Sequence, residues 1–333
     1  MWSHRILNHL VSISVTTVAT LAVATSTLAQ QTNLRDPGYQ IPETPWGHPD
    51  LQGVWDRRTI TPLERPARFE GVAYLSEEQV LEYENLSAAR ADGRPLDSAR
   101  GGPSVHDPDD LDYGTDVLAT RQTSLIVDPA NGRIPAFTRQ ALQRTEMARR
   151  EQEGRGVADS WEDRSLQERC ITWGIPAGML PQAYNNNIQI VQTPDTVLIM
   201  NEMVHDIRLI PLDGRPHIPD QIRQWHGDPR GYWDGETLVV ESTNFSAKTS
   251  FRRSSDKLHL VERFTRVADD MLLYEFTVHD PSTWTQPWTV SFPMVNSDQP
   301  LYEFACHEGN YGLLNILRVA RALEQQEQTG KEP

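Results

Sequence analysis

From residue 188 onward the sequence breaks into short segments of strand character separated by tight turn signals, and no other feature constrains the fold as much. The segments are 188–192, 196–202, 204–212, 236–245, 258–267, 271–280, 288–294 and 301–307. Between them fall Pro194 with Asp195, Asp213 with Gly214, Asp234 with Gly235, Asp269 with Asp270, and Asp280 with Pro281, all turn-forming pairs. Strands linked by short turns pair as an antiparallel meander. About eight of them suffice to close a barrel with room for one small ligand. A β-sandwich is the competing arrangement.

The preceding half has a different texture. Residues 30–50 are rich in Pro and Gly and form an extended lead-in, and 51–55 is a candidate first strand. Ser76, with Gln79 three residues on, is a capping box that opens an amphipathic helix running to about Arg90. Residues 91–116 are Gly, Pro and Asp, the composition of a long surface loop. A second, highly charged helix is expected from Thr138 to about Glu153. Ser160 opens a short third helix ending near Cys170, and 312–328 reads as a terminal helix.

The N-terminus carries an address. Arg5 is the only full charge ahead of an apolar run at 10–23, and the small residues Thr27 and Ala29 then flank Leu28. That is the pattern of a cleaved signal peptide. The expected organisation is therefore a signal at 1–29 and one folded unit at 30–333, with 30–175 as a wrapping segment, 176–311 as the barrel core and 312–333 as the C-terminal helix and tail. The expected location is periplasmic or secreted. No later segment is long and apolar enough to span a bilayer, so no membrane insertion is expected after cleavage. The 46 acidic residues outnumber the 31 Lys and Arg, which argues against a nucleic-acid partner. Cys170 and Cys306 are the two cysteines. In an oxidising compartment a lone pair forms a disulfide, clamping the wrapping segment to the last strand. A nucleophilic Cys306 beside His307 is the alternative.

Two Gly-x-Trp triplets, Gly53 to Trp55 and Gly231 to Trp233, stand out. On a first strand this triplet resembles the signature of lipocalin-like barrels, in which the Trp closes the barrel floor. Longer motifs carry a second resemblance: TPWGHPDLQGVW at 44–55, IPLDGRPH at 210–217, IRQWHGDPRGYWDG at 222–235, TLVVESTNF at 237–245 and YEFACHEGNY at 302–311. These are similar to a large family of secreted bacterial hypothetical proteins, over nearly the whole mature chain. The resemblance implies export and a single unit, and brings no activity or catalytic residues.

Strand alternation sorts the candidate site residues by face. Leu272, Tyr274, Phe276 and Val278 form one core face, and Leu258, Leu260 and Phe264 the matching one, which Glu262 interrupts. An inward carboxylate must be paired or have its pKa raised. It is either a buried salt bridge, with Arg208 or Arg223, or a general acid or base. Met203, His205, Ile207 and Leu209 share a face opposite Glu202, Asp206 and Arg208, which points His205 inward, as a core histidine or a proton shuttle. His217, His226 and Asp228 cluster near Arg223 and Arg230, and His307 lies close to Tyr311. No pair has tight metal-ligand spacing, and no metal or cofactor is predicted. The acidic run Asp107, Asp109, Asp110 and Asp112 lacks the Gly and Glu of an EF-hand loop. Tyr184 and the three asparagines ending at Asn187 precede a strand and offer polar ligand contacts. No nucleophile elbow, P-loop or dinucleotide fingerprint occurs.

The resulting expectation is a mainly β, lipocalin-like barrel wrapped by peripheral helices that binds a small, partly apolar organic molecule in its interior. Glu262 and His205 would then be merely paired, with Arg208, Asn187, Tyr184, His226, Arg223 and His307 lining the site. The alternative is a metal-independent acid–base enzyme, an isomerase, lyase or hydrolase, with His205 and Glu262 or Glu202 acting on the substrate. A structural role in the envelope is the third, favoured by a solidly filled barrel.

Overall fold

The computed structural model describes residues 34–35, 37–92, 112 and 114–329. The expected signal at 1–29 and Asp107, Asp109 and Asp110 lie outside the described residues. The strands are β1 (Gly53–Asp56), β2 (Ile126–Asp128), β3 (Asn187–Gln192), β4 (Thr196–Asn201), β5 (Ile207–Pro211), β6 (Asp228–Asp234), β7 (Thr237–Thr243), β8 (His259–Ala268), β9 (Met271–His279) and β10 (Trp288–Asn296). Three helices accompany them: α1 (Glu77–Asp92), α2 (Arg139–Glu151) and α3 (Tyr311–Thr329).

Nine strands pair in the order β5-β4-β3-β1-β10-β9-β8-β7-β6, and β2 pairs with the flank of β10. Taken round a circle, this is simply chain order, with β1 seated between β3 and β10. The sheet is antiparallel throughout and nearly closes into a barrel. An odd number of strands cannot close with antiparallel pairs alone, so the two ends, β5 and β6, run in the same direction. Parallel neighbours need a long crossover rather than a hairpin, and residues 212–227 supply one. At this seam the two strands pack without a ladder between them. A Cβ on Gly231 would meet Ile210 and Leu212 at 2.8 and 2.7 Å, so glycine permits the approach. Pro229, which has no N–H for a ladder, is accommodated because β6 is an edge.

The inner face is densely apolar. Trp55, Ile188, Ile190, Ile199, Leu260, Phe264, Tyr274, Phe276, Phe292 and Met294 are all buried in one core cluster. Tyr274 stands at the centre of an aromatic column, 4.8 Å from Phe264, 5.7 Å from Phe276 and 5.5 Å from Phe292 between ring centroids. Such pairs contribute roughly 0.5–1.5 kcal/mol each beyond area burial. Trp55 of the first Gly-x-Trp is fully buried, donates from its indole to the Leu51 carbonyl at 3.0 Å, and lies under the Arg266 guanidinium. On β9 and β10 even the outward residues Glu275, Thr289 and Ser291 are buried, because the wrapping segment covers them. Gln122, for example, donates to the Ser291 carbonyl at 2.7 Å.

Several elements match the pattern reading. Ser76 and Gln79 cap α1 reciprocally, at 2.9 and 3.2 Å, and Thr138 caps α2. Cys170 and Cys306 form a disulfide. Others differ. Residues 301–307 form no strand, so the disulfide ties the wrapping segment to the loop before α3. The third helix is only a single turn, Trp161–Asp163, closed by a Ser160–Asp163 capping box. Strand β6 was hidden by its Pro and Gly. Among the described residues no helix is long and apolar enough to cross a membrane.

Candidate functional site

The polar residues of the barrel gather at one end, where β1 and β4 finish and β3, β5 and β6 begin. Register explains how they arrive there. Ile199 faces inward, and its cross-strand partner on β5 is Arg208, so Arg208 must face inward too. Glu262 enters from β8 opposite Val240 and Phe276. The two form a bidentate ion pair at 2.6 and 3.0 Å, with the Tyr274 hydroxyl donating to Glu262 at 2.8 Å. All three side chains are sealed from solvent. Burial pulls the Arg208 guanidinium down, but the Glu262 carboxylate outweighs it and leaves the pKa raised. Burial, reinforced by Glu262, holds the Tyr274 phenol well above its ordinary range, so it remains a donor. Of the two partners considered for Glu262, Arg208 is the one observed; Arg223 instead binds Asp256, at 3.0 Å to its carbonyl.

Arg57 is the residue that the pattern reading missed, although alternation from inward Trp55 points to it. It is fully buried and donates only to neutral oxygens: the Leu180 carbonyl at 2.9 Å, the Asn201 amide at 3.3 Å and the Asn185 carbonyl at 3.4 Å. Burial lowers its pKa to about 10. Nearby, three buried polar atoms have no partner among the described residues: Asn201 Nδ2, Arg208 Nε and Ser242 Oγ.

His205 is not part of this network. Val204 and His205 both adopt φ 58 in the β4–β5 turn. That turn reverses the expected alternation, so Asp206 and Arg208 point in while His205 is exposed and Ile207 and Leu209 are 47 % and 61 % exposed. The His205 ring accepts only a long bond, 3.5 Å, from the Phe304 amide. Glu202 is buried and engaged by the Asn187 and Tyr302 amides at 3.2 and 2.9 Å and by the Asn187 side chain at 3.3 Å, which fixes the start of β3 to the segment after β10. His226 reaches Thr172 at 2.7 Å and Asp206 at 3.3 Å, and Asp206 also accepts from Thr172 and the Trp173 amide, each at 2.9 Å. This network fastens the lid formed by 170–180 over the barrel end. His307 is exposed, and Tyr184 is half-buried, its phenol pushed up by burial. Thus the structure brings together Arg208 with Glu262 and Glu202 with Asn187, and leaves His205, Arg223 and His307 apart from them. Among the described residues no group of three His, Cys, Asp or Glu is placed to hold a metal.

A large cavity lies elsewhere, against the outer wall of the barrel. It measures 1320 Å³ and is enclosed by outward residues of β1, β9 and β10, by the straps 58–63 and 114–119, by the lid and by the 248–252 loop. Its apolar surface includes Leu118, Leu125, Ile175, Leu180 and Phe251, all of them otherwise buried. Trp173 also lines it. Arg58, on the same wall, is held by Asp56 at 2.6 Å and Asp112 at 2.5 Å. No linear motif marks this cleft, because its walls come from stretches far apart in the chain.

No family model, no curated protein and no solved structure matches the chain.

Proposed function

We propose that the protein is exported and binds a small, partly apolar organic molecule, in the cleft between the barrel wall and the wrapping segment rather than along the barrel axis. The observation that carries this is the 1320 Å³ cavity lined by side chains that belong to the apolar core. Concave, mostly apolar sites with a few polar groups are the usual form of small-molecule pockets. The barrel axis is filled by the aromatic column and the ion pair, which moves the expected pocket outward. The acid–base alternative is less well supported, since His205 is exposed while Glu262 is sealed in its pair with Arg208 and Glu202 is buried and taken up by Asn187 and Tyr302. The filled barrel serves the structural reading equally well, so the test must separate scaffold from receptor.

Native mass spectrometry of the protein, purified from an exporting host without denaturation, separates them. The expected result is a non-covalent organic mass that Ala177→Phe, which fills the cleft beside the lid, abolishes without changing the circular dichroism. The same spectrum reports whether the mature chain begins at Gln30. An empty wild-type protein, or a variant that retains the mass, overturns the reading.

A further inference from the structure

We propose that the ligand of the cleft is an amphipathic anion, with an apolar body against the barrel wall and a carboxylate-like head between Lys248 and Arg252. This rests on the cleft being the binding site.

Both cations line the cavity, and both are exposed. Neither has an acidic partner within ion-pair distance among the described residues, in a chain where acidic residues outnumber basic ones by 46 to 31. The third cation of the lining, Arg58, holds Asp56 and Asp112, so Lys248 and Arg252 are the lining cations without a carboxylate among the described residues. The acidic side chains of the lining are Asp56 at the end of β1, Asp112, and Asp116 on a strap, and Arg58 occupies the first two.

The loop that presents the pair is braced. Ser250 donates to the Ser254 carbonyl at 2.8 Å, and the Phe251 amide donates to the Ser254 hydroxyl at 2.9 Å. Phe251 is stacked on Trp288 at 5.8 Å, anchoring the loop to the core. Arg252 and Arg253 sit consecutively in the left-handed region, at φ 49 and 73, a strained conformation that tends to occur where function holds a side chain in place. Arg253 lies over Phe137, while Arg252 lines the cavity with Lys248. Phe251 and Ile175, which are buried, line the same cavity as the two exposed cations. Exposed charge and buried hydrocarbon in one cavity are the arrangement an amphipathic anion requires.

The test uses two probes that share a chain and differ in the head: dodecanoate and dodecan-1-ol, titrated into the full mature protein with tryptophan fluorescence as the signal, since Trp173 lines the cleft. Dodecanoate is expected to bind more tightly. Lys248→Gln with Arg252→Gln should weaken dodecanoate roughly three- to tenfold, the scale of two exposed ion contacts, and leave dodecan-1-ol unchanged. Added salt should do the same to the wild type. Equal binding of the two probes, or a preference that survives the double substitution, overturns the anionic class while leaving the cleft intact. Binding of neither probe also overturns it, and the mass measurement with Ala177→Phe then decides the cleft independently.

Discussion

Replacing Glu262 by Gln tests whether the buried Arg208–Glu262 ion pair of the barrel is structural. The substitution keeps the shape and an acceptor for Tyr274, but removes the charge that balances Arg208. Both groups are sealed, at 2 % and 0 % exposure, and linked by two bonds of 2.6 and 3.0 Å. Breaking such a pair from one side strands a charge and costs about 3–5 kcal/mol. Arg208 Nε already lacks a partner, which leaves the stranded guanidinium no local compensation and places the expectation at the upper end. At roughly 2–4 °C per kcal/mol for a chain of this size, the melting temperature should fall on the order of 10 °C. The companion is the triple variant Arg208→Met, Glu262→Leu and Tyr274→Phe. It removes all three polar groups together and should recover stability to within about 2 kcal/mol of wild type. Urea unfolding followed by tryptophan fluorescence and far-UV circular dichroism reads both. A loss below about 1 kcal/mol for Glu262→Gln, or a triple variant no better than the single one, would refute the argument and return Glu262 to the list of functional carboxylates.

Two further predictions concern the frame around the barrel. Cys170→Ser with Cys306→Ser opens a bond spanning 136 residues; loop-closure entropy sets the loss near 5 kcal/mol, seen as a lower urea midpoint in the variant and in reduced wild type alike. Asp280 is buried, and although burial raises its pKa, bonds from Thr283, the Ser255 amide and Ser282 leave it below the ordinary 3.8. A depressed carboxylate contributes stability that is fully present above the unfolded value and lost as pH falls through the folded one. Stability should therefore decline below about pH 4, and Asp280→Asn should flatten that acid limb while lowering neutral stability by about 1.5–3 kcal/mol. An unchanged acid limb in the variant would refute the assignment.

The barrel was legible because strand periodicity is local. In β8 and β9 every inward residue follows from alternation alone, including Glu262 at its fully buried position. Legibility failed where tertiary context overrides a local pattern. The pair Val204 and His205 takes left-handed conformations that the sequence does not announce, and the face assignment downstream inverts with them. Pro229 and Gly231 read as loop residues, yet an edge strand at a parallel seam tolerates the one and requires the other. In 301–307, aromatic and β-favouring residues did not make a strand; the preceding strand β10 already pairs on both sides, with β1 and β9.

The candidate site divides along a physical line that sequence pattern alone does not draw. Charges that stood out in the pattern, Glu262 and Arg208, proved to balance each other in a bidentate pair sealed from solvent. Lys248 and Arg252 looked ordinary in the pattern; they have no acidic partner among the described residues and they line the cavity. Unpaired charge is cheap only where water or a ligand reaches it, so in a folded chain the free cations collect at the surface, and most of that surface is indifferent. What distinguishes these two is the apolar cavity behind them, assembled from strands, straps and lid far apart in sequence. The informative quantity is therefore the residual charge after all internal pairing, measured where the fold leaves a concavity, and it exists only once the fold is known.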